Sequence, residues 1–226
     1  MKKYLNAGIR RPLGCLIFLF AACNQSSSYQ SYKATRSDTL AMERKAAKAL
    51  DSIIHLSKQI HTGDLVLRTG NDFTSESLRS LNQRNQQYSH CGIASIENDS
   101  IFVYHALGGE WNPDQKIKRD YLPDFADPYN NKGIGIFSFD VKDSVKQKIA
   151  AKAIQLYQQG IMFDLDFDLK TDERMYCAEY VCKTIETGTH QFLRFPRSHI
   201  KEFEFIGVDD LFLHPKCLKR VEIVYK

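Results

Sequence analysis

The sequence predicts a single α+β domain that follows an export signal and a short linker. Amphipathic helical patterns and short strand-like runs are mixed along the chain, with no internal repeat. The chain has 226 residues, enough for one domain with a sizeable core. Its hydrophobic content of 43% and charged content of 26% are those of an ordinary globular protein.

Residues 1–22 have the features of a secretory signal peptide. A basic start precedes the apolar run LGCLIFLF, which is too short to span a membrane. The string Phe20-Ala21-Ala22-Cys23 resembles a bacterial lipobox, with Phe where Leu is usual, and we therefore expect Cys23 to be lipidated. The alternative is an ordinary signal peptide followed by an incidental cysteine. This predicts a lipid-anchored protein in the bacterial cell envelope that faces the periplasm.

Residues 23–38 are polar and predict a flexible tether, which leaves residues 39–226 as one domain. Four of the 31 basic residues and none of the 27 acidic residues lie in the first 22 positions. The rest of the chain is therefore neutral, and nothing indicates a nucleic-acid partner. The only membrane contact predicted is the lipid anchor, and the sequence does not indicate an oligomeric state.

Helix and strand patterns are clear in the first half of the chain. They first predict a helix over 39–60 and, after a Gly63-Asp64 turn, a strand Leu65–Leu67. Residues 71–87 predict a polar loop with a helical turn near 76–81. Two further strands are predicted at His90–Ile96 and Ile101–His105. The turn-forming residues between the last two strands indicate a hairpin.

The second half contains a long irregular stretch. Residues 108–133 are rich in Pro, Asn and Asp and predict a partly ordered excursion of the kind that walls a cleft. The remaining predicted elements are a strand Ile134–Phe139, a helix Ser144–Gln159, a helix beginning at Cys177, and strand-like runs at Phe203–Val208 and Val221–Tyr225.

The alternating run FDLDFDL predicts an extended segment beside the cleft, in which Asp164 is a candidate for binding a cationic group. An EF-hand loop beginning at Asp164 is excluded. Its sixth and twelfth positions hold Leu169 and Met175, where calcium binding needs Gly and Glu.

Cys177 is the candidate nucleophile. It begins an apolar helical periodicity, and the unpaired N–H groups and dipole at a helix start lower a thiol pKa. A backbone N–H there can also hold an oxyanion. The alternative is a buried cysteine without a chemical role. An exported protein can also form disulfides, so a Cys182–Cys217 bridge is possible.

His90 is the candidate base. Strand alternation puts His90 and Cys91 on opposite faces, so only one of them is expected to face the cleft. A hairpin centred between Glu97 and Asn98 pairs position 90 with His105, which would orient the base. For both histidines a purely structural role is the alternative.

The strings GDLV, YSHCGIA, VYHALGG and MYCAEYVCKTI, in this order, resemble the circularly permuted branch of the NlpC-type papain-like cysteine peptidases and amidases, specifically the YiiX-like lipoproteins and enzymes. The resemblance runs from Gly63 to the C-terminus. It implies a central antiparallel sheet packed against helices, with Cys177 as nucleophile, His90 as base and His105 as the orienting residue. Many relatives have Glu at the third place, whereas the lecithin:retinol acyltransferase-like proteins have His.

Further candidates for substrate or oxyanion binding are Tyr176, Glu179, Tyr88 and Asp164. Tyr176 and Glu179 match the cysteine motif, with packing and support of the helix dipole as their respective alternatives.

The sequence thus predicts a thiol hydrolase that cleaves an amide bond, without a cofactor or metal, in peptides or small amides such as murein fragments. Three alternatives remain open. One is a lipid-directed acyl hydrolase or acyltransferase. The second is a zinc site made of His90, His105 and Cys177. The third is a ligand-binding lipoprotein without catalytic activity.

Overall fold

The protein is built on a six-stranded antiparallel sheet with helices on both faces. A computed structural model describes residues 35–109 and 112–225, and the chain from Arg36 onward forms one compact unit. The predicted signal peptide, Cys23 and most of the predicted tether lie outside the described residues. Within the described ranges, no helix combines the length and the apolar character needed to cross a membrane.

The elements alternate irregularly along the chain. The helices are α1 Arg36–Ser57, α2 Phe73–Ser80, α3 Leu122–Phe125, α4 Asp143–Gln158, α5 Cys177–Gly188 and α6 Val208–Phe212. The strands are β1 Leu65–Gly70, β2 His90–Glu97, β3 Ser100–His105, β4 Lys118–Tyr121, β5 Asn131–Phe139, β6 Ser198–Ile200, β7 Phe203–Phe205 and β8 Cys217–Val224. The sheet order is β4-β3-β2-β1-β5-β8, while β6 and β7 pair separately. The predicted α+β class with a central antiparallel sheet is confirmed.

Each face of the sheet supports its own core, because successive side chains of a strand point to opposite sides. Leu65 and Ile93 pack in the core that includes α4 and α5. Val66 and Ala94 pack in the core that includes α1 and α3. The apolar runs in β1 and β2 are therefore covered on both sides, and the polar residues at the strand ends are left to form a site.

Gly63 and Asp64 fix the entry into β1. Gly63 has φ +86°, and a Cβ there would lie 2.5 Å from the Lys146 carbonyl oxygen, so only glycine fits without a shift. The buried Asp64 carboxylate accepts hydrogen bonds from the His61 N–H at 2.8 Å and from Ser138 Oγ at 2.6 Å. This network explains the GDLV string in structural terms.

Segments predicted as irregular are partly ordered. The excursion over 108–133 contains β4, which pairs with β3, and α3, which has Pro in its first turn. The loop over 71–87 contains α2, which begins earlier than the predicted turn because Asp72 accepts the Ser75 N–H at 2.9 Å. The strand-like run 203–208 is only strand β7, and α6 begins at its last residue.

The hairpin between β2 and β3 turns one residue later than predicted. Asn98 and Asp99 both adopt left-handed conformations, with φ 47° and 61°, which favours a tight two-residue turn. Glu97 therefore pairs with Ser100. Continued along the strands, this register places His105 opposite Gly92, so the predicted pairing of His105 with position 90 is wrong by two positions.

Candidate active site

Three of the predicted site residues meet at one end of the sheet. His90 is the first residue of β2 and His105 is the last residue of β3. Cys177 is the first residue of α5, which packs against β2. The structure therefore brings the thiol and both imidazoles together, although they are far apart in sequence.

Cys177 stands at the start of its helix. Tyr176 is the N-cap in extended conformation, with φ −84° and ψ 172°. Interactions with Cys91, with His90 and with the Ala178 N–H hold the pKa of the Cys177 thiol well below its usual range. Burial opposes this shift, because the side chain is only 7% exposed, but the hydrogen bonds outweigh it. The start of α5 therefore favours loss of the thiol proton.

Cys91 and His90 lie on opposite faces of the sheet, as strand alternation predicts, and both interact with Cys177. Cys91 points toward the α5 side of the sheet, where it packs in the same core as Cys177. His90 is the first residue of its strand and reaches the thiol at the strand end. Burial, and then the neighbouring Cys177, raise the pKa of Cys91 well above its usual range. Cys91 thus stays protonated and donates to the Cys177 sulfur.

Removal of the Cys91 thiol should raise the pKa of Cys177. In Cys91→Ala, we expect the pH midpoint of iodoacetamide alkylation at Cys177 to move upward by about one pH unit, the size of one lost hydrogen bond to a charged group. Cys217→Ala is the control, because Cys217 lies on β8 at the far side of the sheet. An unchanged midpoint in Cys91→Ala would show that the contact does not stabilise the thiolate.

His90 is buried between the other histidine and an aromatic ring. Its Nε2 lies 2.8 Å from His105 Nδ1, and Phe125 packs against both imidazoles. Burial lowers the pKa of His90 to about 4, although the Cys177 thiolate acts in the opposite direction. At neutral pH the imidazole is therefore uncharged, which is the form that can accept a proton.

His105 is held in turn by Asp120. Its Nε2 lies 3.0 Å from Asp120 Oδ2, and Lys118 Nζ lies 3.3 Å from the same oxygen. Burial would raise the pKa of Asp120, but His105 and Lys118 lower it to about 2. Burial lowers the pKa of His105 to about 4, so a neutral imidazole meets an ionised carboxylate.

These contacts fix the tautomer of each ring. Because the Asp120 carboxylate can only accept, His105 carries its proton on Nε2 and accepts on Nδ1. His90 must then donate from Nε2, which leaves its Nδ1 lone pair for the thiol of Cys177. His90, His105 and Asp120 thus form a line of two hydrogen bonds, and His90, at the end that interacts with Cys177, has the correct tautomer for a base.

Replacement of Asp120 by asparagine should reverse the direction of these hydrogen bonds. A carboxamide can donate to His105 Nε2, so the proton on His90 would move to Nδ1 and no longer leave a lone pair for Cys177. In Asp120→Asn, we expect kcat to fall on the order of 10²- to 10⁴-fold. Histidine ¹⁵N chemical shifts would report the tautomers. Asp114→Asn, which changes an exposed carboxylate nearby, should have little effect, and an equal loss in both variants would contradict the assignment.

The polar atoms of the motif candidates are engaged in local structure. The Tyr176 hydroxyl accepts the Ile206 N–H at 2.7 Å. Glu179 is fully buried, accepts the Tyr176 N–H at 3.4 Å, and lies 2.8 Å from Lys183 Nζ. Burial raises the pKa of Glu179 to about 7, against the lowering effect of Lys183. These contacts stabilise the first turn of α5 and so help to hold Cys177 in position.

The two other candidates are also held within the structure. Asp164 accepts the N–H groups of Asp166 at 2.9 Å and Asp168 at 2.5 Å, so its carboxylate closes its own loop. The Tyr88 ring packs edge-on against Phe137 and Phe212 in the core. The contacts of both residues are internal.

Sequence reasoning missed Asp120 and Arg68. Arg68 lies directly opposite His90 in the pairing of β1 with β2. Asp120 belongs to the excursion, where the short polar run KRDY has no hydrophobic signal of a strand. The buried Ile117 just before that run was the available indication.

The zinc alternative does not fit the geometry. Among the described residues, no group of three His, Cys, Asp or Glu side chains is arranged to hold a metal ion. Both nitrogens of His105 and the Nε2 of His90 are taken up by the hydrogen bonds that link them to each other and to Asp120. The four described cysteines, Cys91, Cys177, Cys182 and Cys217, are free thiols, so the possible Cys182–Cys217 bridge is absent.

Comparison with known proteins supports the fold. No protein-family model and no curated protein sequence matches the chain. Among solved structures, it is similar to the crystal structure of the metalloprotein YiiX from Escherichia coli O157:H7, with a TM-score of 0.61 and 18% sequence identity. The similarity covers 74% of this chain and 99% of the YiiX chain. The protein therefore has a YiiX-like fold, in agreement with the permuted papain-like architecture that its motifs imply.

Proposed function

We propose that the protein is a thiol hydrolase that cleaves an amide bond, with Cys177 as the nucleophile and His90 as the base. One observation carries this proposal. His90 interacts with the Cys177 thiol, and hydrogen bonds of 2.8 Å and 3.0 Å lead from His90 through His105 to Asp120. Nucleophile, base and orienting group are thus in contact in the order that covalent catalysis requires.

The proposed reaction has two steps. The Cys177 sulfur attacks the amide carbon while His90 takes the thiol proton, and backbone N–H groups at the start of α5 hold the oxyanion. His90 returns the proton to the leaving amine, which leaves a thioester on Cys177. Water, deprotonated by His90, then hydrolyses the thioester to a carboxylic acid and restores the thiol.

Cell-wall peptides are the proposed substrate class. The support comes from the sequence, which predicts export, lipidation at Cys23 and a periplasmic position, where murein peptides are exposed. A second candidate function is the transfer or hydrolysis of lipid acyl groups. This second function is favoured by His105, which contacts His90. The lecithin:retinol acyltransferase-like proteins also have a histidine at this place.

The purified protein should be incubated with cell-wall peptides and, separately, with phospholipid vesicles, beside the Cys177→Ala variant. We expect mass spectrometry to detect a free amine and a new carboxylic acid from the peptides with the parent protein alone. A changed phospholipid would favour the lipid reaction. Because the similar YiiX structure is described as a metalloprotein, metal content should be measured on protein purified without chelator. Stoichiometric metal required for turnover would contradict the thiol mechanism.

A further inference from the structure

We propose that Arg68 binds a carboxylate of the substrate beside the scissile amide, an inference that rests on the proposed amide hydrolase. Arg68 is the cross-strand partner of His90. Its guanidinium carbon lies 4.7 Å above the centre of the Phe125 ring, which also packs against His90. The cationic group and the base are therefore neighbours at the same end of the sheet.

Most of the hydrogen-bonding capacity of Arg68 is unused. A guanidinium has several N–H donors, yet within the described residues Arg68 has one hydrogen bond, from Nη1 to the Phe125 carbonyl oxygen at 2.9 Å, and no ion pair. The other partly buried arginines in the described part of the chain each contact a carboxylate: Arg79 contacts Glu76, Arg119 contacts Glu97, and Arg197 contacts Glu186. Arg68 differs from them in lacking such a partner.

The carboxylates that influence Arg68 already have other partners. The charges of Asp120, Asp72 and Asp127 act on Arg68 without forming an ion pair with it. Their hydrogen-bonding partners are His105 for Asp120, Ser75 for Asp72, and Asn130 for Asp127. These carboxylates therefore do not supply the bidentate contact that an arginine makes best, and a ligand carboxylate can supply it.

The location of the charge indicates which part of the substrate it would contact. Burial lowers the pKa of Arg68, but a guanidinium keeps its charge in proteins. Arg68 pairs with His90 across the strands and lies over the ring that packs against His90, so this charge lies close to the base. A carboxylate bound there would belong to the residue that flanks the cleaved bond. Cell-wall peptides carry such a group on D-glutamate, and amidation to D-isoglutamine removes its charge.

The test compares two tripeptides with amidated C-termini, L-Ala-γ-D-Glu-L-Lys and L-Ala-γ-D-isoGln-L-Lys, which differ in a single carboxylate. Binding is measured by calorimetry to the Cys177→Ala variant of the full chain, so that turnover is prevented. We expect the D-Glu peptide to bind about tenfold more tightly or better, the size of a charge-assisted hydrogen bond. Adding Arg68→Gln should bring the affinity ratio close to one, Arg68→Lys should keep part of it, and Arg79→Gln should leave it unchanged.

Equal affinity for the two peptides, or no binding of either, would overturn the proposal. This comparison needs no Arg68 variant, so a folding defect in Arg68→Gln cannot obscure the result. An affinity ratio that persists in Arg68→Gln would also overturn it. So would an equal loss for both peptides, since that is the expected result of a packing role. Binding in this assay does not use the thiol. If Cys177→Ala retained hydrolysis, the proposed chemistry would fail independently of the carboxylate preference.

Discussion

Replacement of Cys177 by alanine is expected to lower the rate of amide hydrolysis by at least about 10⁴-fold, because what remains can only bind the substrate and orient water. The fold should survive, since the change removes one sulfur atom from the end of a helix whose remaining buried residues still pack on the sheet. Product formation followed by mass spectrometry, together with thermal unfolding, measures both effects.

Cys182→Ala is the matched control for this variant. Cys182 is buried in the same helix, but its thiol accepts a hydrogen bond from Arg197 Nη1 at 3.3 Å, and burial raises its pKa to about 12. We therefore expect Cys182→Ala to keep its activity and iodoacetamide to label Cys177 first. Hydrolysis that persists in Cys177→Ala, or that is lost equally in Cys182→Ala, would contradict the role of Cys177.

Replacement of His90 by alanine should be nearly as damaging, with a loss of at least about 10³-fold in kcat, because it removes both the base and the partner of the thiolate. Added imidazole should restore part of the rate by entering the space that the side chain vacates. His199→Ala is the control, since His199 is exposed on the ribbon of β6 and β7. Loss of activity without any rescue, together with an unaltered alkylation rate at Cys177, would indicate a structural role for His90.

The acid limb of the pH profile provides a further check on His90. Because its pKa is lowered to about 4, the neutral base is present from neutral pH down to that value and is lost below it. Activity should therefore persist through mildly acidic pH and fall as the pH drops through about 4. An acid limb near the ordinary histidine value of about 6.5 would show that His90 is more solvated than its contacts indicate.

Local patterns in the sequence predicted much of the fold. The amphipathic periodicity of α1 and α4 predicted both helices to within a few residues, because one face of each packs on the sheet. Strand β4 was missed because its run KRDY carries no apolar alternation. Its order comes from pairing with β3, a contact that local sequence does not encode.

The candidate site was partly predictable for the same physical reasons. A cysteine at a helix start and a histidine at a strand start could be recognised locally. His105 contacts His90 although the hairpin register differs by two positions, because diagonal neighbours on one sheet face lie within reach of long side chains. Asp120 reaches His105 only because β4 pairs with β3, and local sequence does not predict that pairing.

The central claim is that the reaction passes through a thioester on Cys177. The most direct test mixes the protein with the peptide it cleaves fastest, quenches with acid at early times, and maps the acyl group by mass spectrometry. We expect the acyl mass on the peptide containing Cys177, formed together with one equivalent of free amine and then lost to water. Product release with Cys177 unmodified at every time point, or with the acyl group on another residue, would contradict it.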